Sequence, residues 1–435
     1  MNNETIFALS SGHGKSGIAV IRVSGDNLYN LFLQITNRKS ADARHAYFAN
    51  MRDQDGYIID QVIAIYFAAP HSFTGTDIIE IYSHGAPAVI EKIFEYLRNI
   101  GGRMATPGEF SRRAFYNNKM DLADIDGLAA LLDAQTDAQR RNALQSMMGG
   151  DSAVYNNWRN QMIEISAYAA AILDYSDDEL PSNIGNTIRK KTQKLYDEIN
   201  NAISRYAAVR AIRSGFNIVL AGNANVGKSS LFNAIVGSNR AIVSDIPGTT
   251  RDVVSTALDI GGYMVNLSDT AGLRDATDKI EKIGIEKTKS EIQNADIIIN
   301  VYSPDCTIQP PSHLSDNEIY VINKSDLGTT THINGIIYTS VKTGNGISDL
   351  MNAIHNKISK IAQSAETGVA VNARTRELLT NAATELKSAL AITDENYDIF
   401  SEHTRRAADA IGKILGTITA ADVMDATFSQ LCLGK

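Results

Sequence analysis

The sequence predicts a multidomain protein that combines α/β and α+β architecture. The chain has 435 residues, and at about 150 residues per domain this length corresponds to two or three domains. The apolar periodicity changes along the chain: short strand-like runs give way to helical spacing, then to strands alternating with helices, and then to helical spacing again. Hydrophobic residues make up 44% and charged residues 21%, as in a folded globular protein.

The first two segments differ in their apolar spacing. Residues 1–118 mix short apolar runs, such as 17–23, with Gly and Pro, and this pattern predicts an α+β domain. From residue 119 the apolar side chains recur every third or fourth position, as in Leu122, Ile125 and Leu128, which predicts packed helices. The helical domain is predicted to comprise residues 119–212 and 364–435.

Between the two helical segments, residues 213–363 show the alternation of an inserted α/β domain. Each apolar run of buried-strand length is followed by Gly-rich or polar turn residues, which is typical of a parallel sheet with helices on both faces. The predicted strands are 216–221, 263–267, 295–302 and 318–322.

Composition excludes several classes of protein. The chain has 41 Lys and Arg against 49 Asp and Glu, a net charge of −8. This charge excludes a protein that coats nucleic acid through bulk positive charge, but a local RNA-binding site stays possible. Two cysteines cannot form a disulfide framework and fit a reducing compartment. No apolar run approaches the roughly 20 residues that span a bilayer, and no secretory signal is visible. We therefore expect a cytoplasmic protein without membrane contact.

Residues Gly222–Ser229 match the phosphate-binding loop pattern. They follow the predicted strand 216–221 and precede the helical stretch 230–236, which is the context that the motif requires. The glycines let backbone N–H groups surround phosphates, Lys228 supplies positive charge, and the Ser229 hydroxyl can bind Mg²⁺. Asn225 lies inside this loop, where its amide oxygen can bind a monovalent cation.

Four further motifs follow in the order of a GTP-binding domain. Residues 248–252 include a Thr that can complete the Mg²⁺ shell, and Asp269 of the segment 269–272 can hold Mg²⁺ through water. Asp326 of the segment 323–326 can accept two hydrogen bonds from guanine, and adenine has no matching pair of donors. Lys324 can lie against the base. Residues 340–342 can close over the guanine oxygen. The segment 213–363 is therefore predicted to be a Ras-like P-loop GTPase domain.

The residue that orients the attacking water is not the usual one. Many GTPases have a Gln after the segment 269–272, but this chain has Leu273, so other groups must orient the water and offset the transition-state charge. Asp275, Asp278 and Glu281 are candidates, although a helix cap or a solvated side chain is the more common role for any one of them.

Taken with N-terminal segments such as 17–25 and 107–110, and with the C-terminal residues 432–435, these motifs resemble the MnmE (TrmE) family of tRNA modification GTPases along the whole chain. The resemblance implies GTP hydrolysis with Mg²⁺, and K⁺ as an intrinsic activator in place of an arginine finger. It implies an N-terminal folate-binding domain that holds 5-formyltetrahydrofolate, or a related tetrahydrofolate, in a homodimer. It also implies a complex with the FAD-dependent protein MnmG that adds an aminomethyl or carboxymethylaminomethyl group to wobble uridine 34 of certain tRNAs.

The resemblance assigns site residues motif by motif. The catalytic positions are Glu281, which would orient water through a second water, and Cys432. The K⁺ ligands are Asn225, Ser244, Ile246 and Thr249, and the Mg²⁺ ligands are Ser229 and Thr250. The folate-contacting residues are Arg22, Glu80, Lys119 and Lys435. The residues assigned to GTP are Asn225, Val226, Gly227, Lys228, Ser229, Ser230, Ser244, Asp245, Ile246, Pro247, Gly248, Thr249, Thr250, Asp269, Thr270, Ala271, Gly272, Asn323, Lys324, Asp326, Ser340, Val341 and Lys342.

Two other functions fit parts of the sequence. A ribosome-assembly GTPase would carry a separate basic RNA-binding module, and the sequence shows none; a basic set such as Arg205, Arg210 and Arg213 is more simply a solvated helix face. A GTP-binding switch or scaffold would bind the nucleotide without turning it over.

Overall fold

The structure is a computed structural model that describes residues 4–174, 181, 183–242, 255–269, 291–305, 315–328, 333–366, 369, 371–393 and 396–416. The predicted Ser244–Thr250, Thr270–Gly272, Glu281, Cys432 and Lys435 lie outside these residues. The chain divides into two compact units, one formed by Met1–Ala129 with Gly412–Lys435 and the other by Ala130–Ile411.

The N-terminal part is an α+β domain built on one sheet. Its strands are ordered β3-β4-β5-β2-β1-β6, and alternate residues of β3 and β5 are buried, as expected for strands with one face on a core. The core of this domain includes Phe7, Ile21 and Phe32. The elements are β1 (Ile6–Leu9), β2 (Ser16–Gly25), α1 (Tyr29–Thr36), β3 (Ala46–Arg52), β4 (Ile58–Phe67), β5 (Asp77–Gly85), α2 (Pro87–Asn99), β6 (Arg103–Met104), α3 (Glu109–Tyr116) and α4 (Leu122–Leu132).

The next four elements are helices whose apolar residues recur at helical spacing. In α6, Trp158, Met162 and Ile165 are buried, and the matching face of α7 buries Leu195 and Ile199, so the two helices pack through one apolar stripe each. The helices are α5 (Asp137–Met147), α6 (Gly150–Asp174), α7 (Ile184–Ser204) and α8 (Tyr206–Ser214).

A seven-stranded sheet follows, in the order β13-β12-β11-β7-β10-β9-β8. Strands β13, β12, β11, β7 and β10 are parallel to one another. At the other edge β9 is antiparallel to β10, because the two are joined by a turn in which Gly261 and Gly262 both have positive φ. The elements are β7 (Phe216–Ala221), α9 (Lys228–Gly237), β8 (Arg240–Ala241), β9 (Ser255–Ile260), β10 (Tyr263–Asp269), β11 (Ile297–Tyr302), β12 (Glu318–Ile322), a 3₁₀ turn (Ser325–Leu327), β13 (Ile336–Tyr338), α10 (Ile347–Glu366), α11 (Ala373–Ala391) and α12 (Tyr397–Leu415).

The predicted strands of the α/β domain are confirmed, two of them with the bounds read from the sequence. Their central residues, Leu220, Val265 and Ile299, are fully buried and pack with Ile354 of α10 in one apolar core. Parallel strands bring their carboxyl ends to one edge of the sheet, so β7, β10, β11 and β12 all end there. Among the residues that the structure describes, no helix is both long and apolar enough to cross a membrane.

Candidate nucleotide site

The loop between β7 and α9 has the backbone of a phosphate-binding loop. Gly222 has φ +147° and Gly227 has φ +91°, and neither position has room for a side chain. A Cβ on Gly222 would lie 2.2 Å from the Val301 carbonyl oxygen, and one on Gly227 would lie 2.3 Å from Asn323 Nδ2. The loop is therefore pressed against β11 on one side and against the residue after β12 on the other, with the N-terminus of α9 at its end.

Lys228 opens helix α9 and is buried, with 5% of its surface exposed. Its Nζ atom donates to the carbonyl oxygens of Gly222 and Asn223, at 3.0 and 2.8 Å. The ammonium group is thus held across the mouth of the phosphate loop, where an incoming phosphate would meet it. This placement agrees with the role predicted for the lysine of the motif.

Ser229 and Asp269 come together although 40 positions separate them. The Ser229 hydroxyl donates to Asp269 Oδ2 at 2.6 Å, and Asp269, the last residue of β10, is 4% exposed. A hydroxyl beside a carboxylate is a pair of hard oxygen ligands, which suits Mg²⁺ once phosphate oxygens are added. Within the described ranges, no three His, Cys, Asp or Glu side chains cluster as a metal site.

Asn323 connects the phosphate loop to the loop after β12. Its buried amide Nδ2 donates to the Val226 carbonyl at 3.1 Å, and its Oδ1 accepts the Thr339 hydroxyl at 3.2 Å. Thr339 is fully buried, and its backbone carbonyl accepts the Ser325 N–H at 3.0 Å. The sequence motifs do not include Thr339, although its position directly before the segment 340–342 could have identified it.

The residues predicted to read the base lie in the turn beyond Asn323. Lys324 has φ +57°, and Asp326 Oδ1 accepts the Ser340 hydroxyl at 2.6 Å. That hydrogen bond, with Lys342 and Lys324 nearby, holds the pKa of the Asp326 carboxyl below its ordinary value. An ionised carboxylate fixed at the open edge of the sheet can accept both guanine N–H groups.

Only one of the four predicted K⁺ ligands, Asn225, lies within the described residues. It is exposed at the tip of the phosphate loop and has φ +62°, a left-handed conformation that Asn tolerates better than most residues. Its position beside the loop is compatible with a cation next to the phosphates.

The N-terminal domain brings together two of the predicted folate residues. Arg22 of β2 and Glu80 of β5 are cross-strand neighbours, and Arg22 donates through Nε and Nη2 to Glu80 Oε1, at 3.0 and 2.8 Å. Tyr82 donates to the other carboxylate oxygen at 2.8 Å. The guanidinium lies over the rings of Phe73 and Phe110, 5.3 and 5.9 Å from their centroids.

Lys119, the third of these residues within the described range, is exposed. Its side chain runs beside Gly75, since a Cβ on that glycine would lie 3.3 Å from the lysine Cε. Asn117 binds the same segment by donating to the Thr74 carbonyl at 2.6 Å. The segment that carries Phe73 is thus bordered by Arg22 and by Lys119.

Two family models cover most of the chain. Residues 5–119 match the model described as the GTP-binding protein TrmE N-terminus, and residues 122–432 match the MnmE helical domain. The chain is 38% identical to the tRNA modification GTPase MnmE of Parvibaculum lavamentivorans, over 99% of this chain and 100% of that protein. It is 36% identical to the protein of the same name from Rhizobium johnstonii, over 100% of both.

Solved structures resemble a smaller part. The G domain of the T. maritima FeoB iron transporter aligns with 34% of this chain and 98% of its own length, at 25% identity and a TM-score of 0.24.

Proposed function

Because this chain belongs to the MnmE family of tRNA modification GTPases, we propose that its GTP hydrolysis is activated by K⁺ and serves the modification of wobble uridine 34. The product would be an aminomethyl or carboxymethylaminomethyl group at C5 of that uridine in certain tRNAs. The chain would act as a homodimer in the cytoplasm, with the FAD-dependent protein MnmG in a heterotetramer or larger complex. The observation that carries the proposal is the convergence of Lys228, the Ser229–Asp269 pair and Asp326 at one sheet edge.

The phosphate end of the site supplies charge and hydrogen-bond donors. Lys228 would exchange its carbonyl partners for phosphate oxygens, and the first N–H groups of α9 would donate to the same anion. Ser229 would bind Mg²⁺ directly and Asp269 through water, since the two oxygens are 2.6 Å apart. When bound there, Mg²⁺ would supply positive charge next to the phosphate oxygens.

The base end of the site selects guanine. Asp326 would accept the guanine N1–H and amino group, Lys324 would cover one face of the base, and the segment 340–342 would close over its oxygen. Adenine offers no matching pair of donors, so the site would favour GTP over ATP.

The proposed activator is a cation at Asn225. Since Leu273 cannot orient water through an amide, the chemistry needs another positive charge and another positioning group. We assign the charge to K⁺, held by Asn225 with Ser244, Ile246 and Thr249, and the positioning to Glu281. A stabilising charge of this kind is worth on the order of 10³–10⁵ in rate where an arginine supplies it.

The N-terminal domain would hold a tetrahydrofolate. The Arg22 guanidinium would pair with a carboxylate of the glutamate tail, and Glu80, already an acceptor for Tyr82, would accept from the pterin. Lys119 and Lys435 would add positive charge, and Cys432 would take part in the chemistry at the tRNA.

A turnover assay tests the activator. The purified chain is expected to hydrolyse GTP much faster in KCl than in NaCl of equal ionic strength, and Asn225→Ala should remove that difference. Equal and negligible turnover in both salts would instead favour a GTP-binding scaffold. Nucleoside analysis of tRNA from a deletion strain tests the pathway: intact wobble-uridine modification there would reject the role in tRNA.

A further inference from the structure

A short turn lies between the two loops that form the nucleotide site, and no motif covers it. It comprises Ser303, Pro304 and Asp305 and directly follows β11. Strand β11 is hydrogen-bonded to β7 on one side and to β12 on the other. The turn therefore emerges between the phosphate loop and the base-reading turn, and the Asn323 N–H donates to the Tyr302 carbonyl beside it at 2.8 Å.

Asp305 is fixed by contacts at both of its carboxylate oxygens. Oδ1 accepts the hydroxyl of Ser303, a residue that is itself buried, and Oδ2 lies 3.1 Å from the Lys324 ammonium. The Ser303 hydrogen bond and the Lys324 charge both lower the pKa of this carboxyl. Asp305 is therefore an anion at neutral pH, anchored through Ser303 to the end of β11.

Lys324 is held at both ends as a result. Its backbone is set in the left-handed region at φ +57°, and its ammonium is bound by Asp305. A lysine side chain has a long flexible stem, and its freedom is normally lost when a ligand binds against it. Because Asp305 holds the Lys324 ammonium before the nucleotide binds, less conformational freedom is lost on binding, just as a rigid ligand gains affinity.

We propose that Asp305 is a positioning residue for guanine nucleotides, which holds the Lys324 ammonium so that the lysine stem is preset to cover the base. The inference rests on the proposed role of Lys324 as the base-covering residue. Asp305 does not touch the phosphates or the attacking water. It acts on nucleotide affinity through Lys324 and leaves the chemical step alone.

The test measures the Kd of fluorescent GDP and GTP and the steady-state kcat and KM of the full chain. Asp305→Asn keeps the shape and removes the charge. Because the pair is partly solvated, we expect Kd and KM to rise about three- to fivefold with kcat unchanged. Asp305→Glu should recover part of the affinity, and added salt should reduce the difference between wild type and Asp305→Asn.

A double-mutant cycle separates positioning from a general effect. Lys324→Ala should weaken binding by at least as much as Asp305→Asn, and adding Asp305→Asn to Lys324→Ala should change nothing further. Asp316→Asn is the matched control, since this exposed carboxylate lies before the amino end of β12, away from the site, and its loss should leave Kd unchanged.

Three results would overturn the proposal: unchanged or tighter binding in Asp305→Asn, additive losses in the double variant, or a fall in kcat at saturating GTP. A wild-type chain that binds no guanine nucleotide would instead refute the proposed function itself. A Lys324→Ala variant that binds normally would refute the role given to Lys324, and with it the positioning by Asp305.

Discussion

Removing the Thr339 hydroxyl tests whether the two nucleotide loops are held together as the structure indicates. Thr339→Val keeps the shape of the side chain and deletes the hydrogen bond to Asn323 Oδ1, which is 3.2 Å long and buried. The Asn323 oxygen is left without that donor, which costs about 1–3 kcal/mol. The amide is then free to turn, so its Nδ2 no longer reliably meets the Val226 carbonyl of the phosphate loop.

Part of this cost lowers the free energy of unfolding and part weakens nucleotide binding, because the Asn323 amide is misplaced both with and without nucleotide. If about half of this cost, roughly 0.5–1.5 kcal/mol, appears in binding, the Kd for GDP rises about 2.3-fold to 12-fold, since 1.4 kcal/mol corresponds to a factor of ten. The assay is titration of the full chain with fluorescent GDP, together with thermal unfolding. Thr339→Ser is the matched control, since it keeps the hydroxyl and loses one methyl group, worth about 0.8 kcal/mol of apolar burial.

Two outcomes would refute this reasoning. Binding by Thr339→Val within twofold of wild type would show that the hydrogen bond does not position Asn323 for the nucleotide. Equal losses in Thr339→Val and Thr339→Ser would show that the effect on binding is not specific to the hydroxyl.

Three further changes have distinct expected outcomes. Asp326→Asn should weaken GTP binding by about a hundredfold or more and favour XTP, since an amide cannot accept both guanine donors. Because the pKa of Asp326 is lowered, GTP binding by the wild type should persist as the pH falls and be lost only near that lowered pKa. A loss of binding near pH 6 would contradict this. Gly227→Ala should abolish nucleotide binding because its φ is +91° and its Cβ would lie 2.3 Å from Asn323 Nδ2, whereas Gly237→Ala, which has nothing within 4 Å, should bind normally. Arg22→Lys should lower affinity for 5-formyltetrahydrofolate about tenfold in calorimetry, because a lysine cannot make both of the hydrogen bonds that Arg22 donates to Glu80 Oε1. Arg98→Lys, on the exposed surface, is the control, and equal affinities would reject the folate site.

Local sequence patterns predicted the elements with strong periodicity and missed those whose partners lie far along the chain. The bounds 216–221 and 318–322 matched β7 and β12 because short, mostly apolar runs mark strands whose centres are buried. The predicted parallel sheet ends in the antiparallel strands β9 and β8, since a Gly-Gly hairpin, not a crossover helix, joins β9 to β10.

The residues of the candidate site fall into the same two groups, those that local motifs predict and those that depend on partners far along the chain. Motifs identified Lys228, Ser229 and Asp326 because their chemistry requires fixed spacing within one loop. The partners Thr339 and Asp305 have no such spacing, since the sheet register brings them to the site. Arg22 and Glu80 were named by family resemblance, but only the pairing of β2 with β5 makes them neighbours across 58 positions. The predicted domain boundaries stay a prediction.

Four polar side chains that we assign to the nucleotide already have protein partners. Lys228 binds loop carbonyls, Ser229 binds Asp269, Lys324 binds Asp305, and Asp326 binds Ser340. Because each of these groups already has a partner, nucleotide binding exchanges one set of hydrogen bonds for another. The net gain from each contact is then smaller than its gross strength. It follows that residues which never touch GTP can set its affinity, because they determine how well each binding group is positioned and hydrogen-bonded before GTP binds.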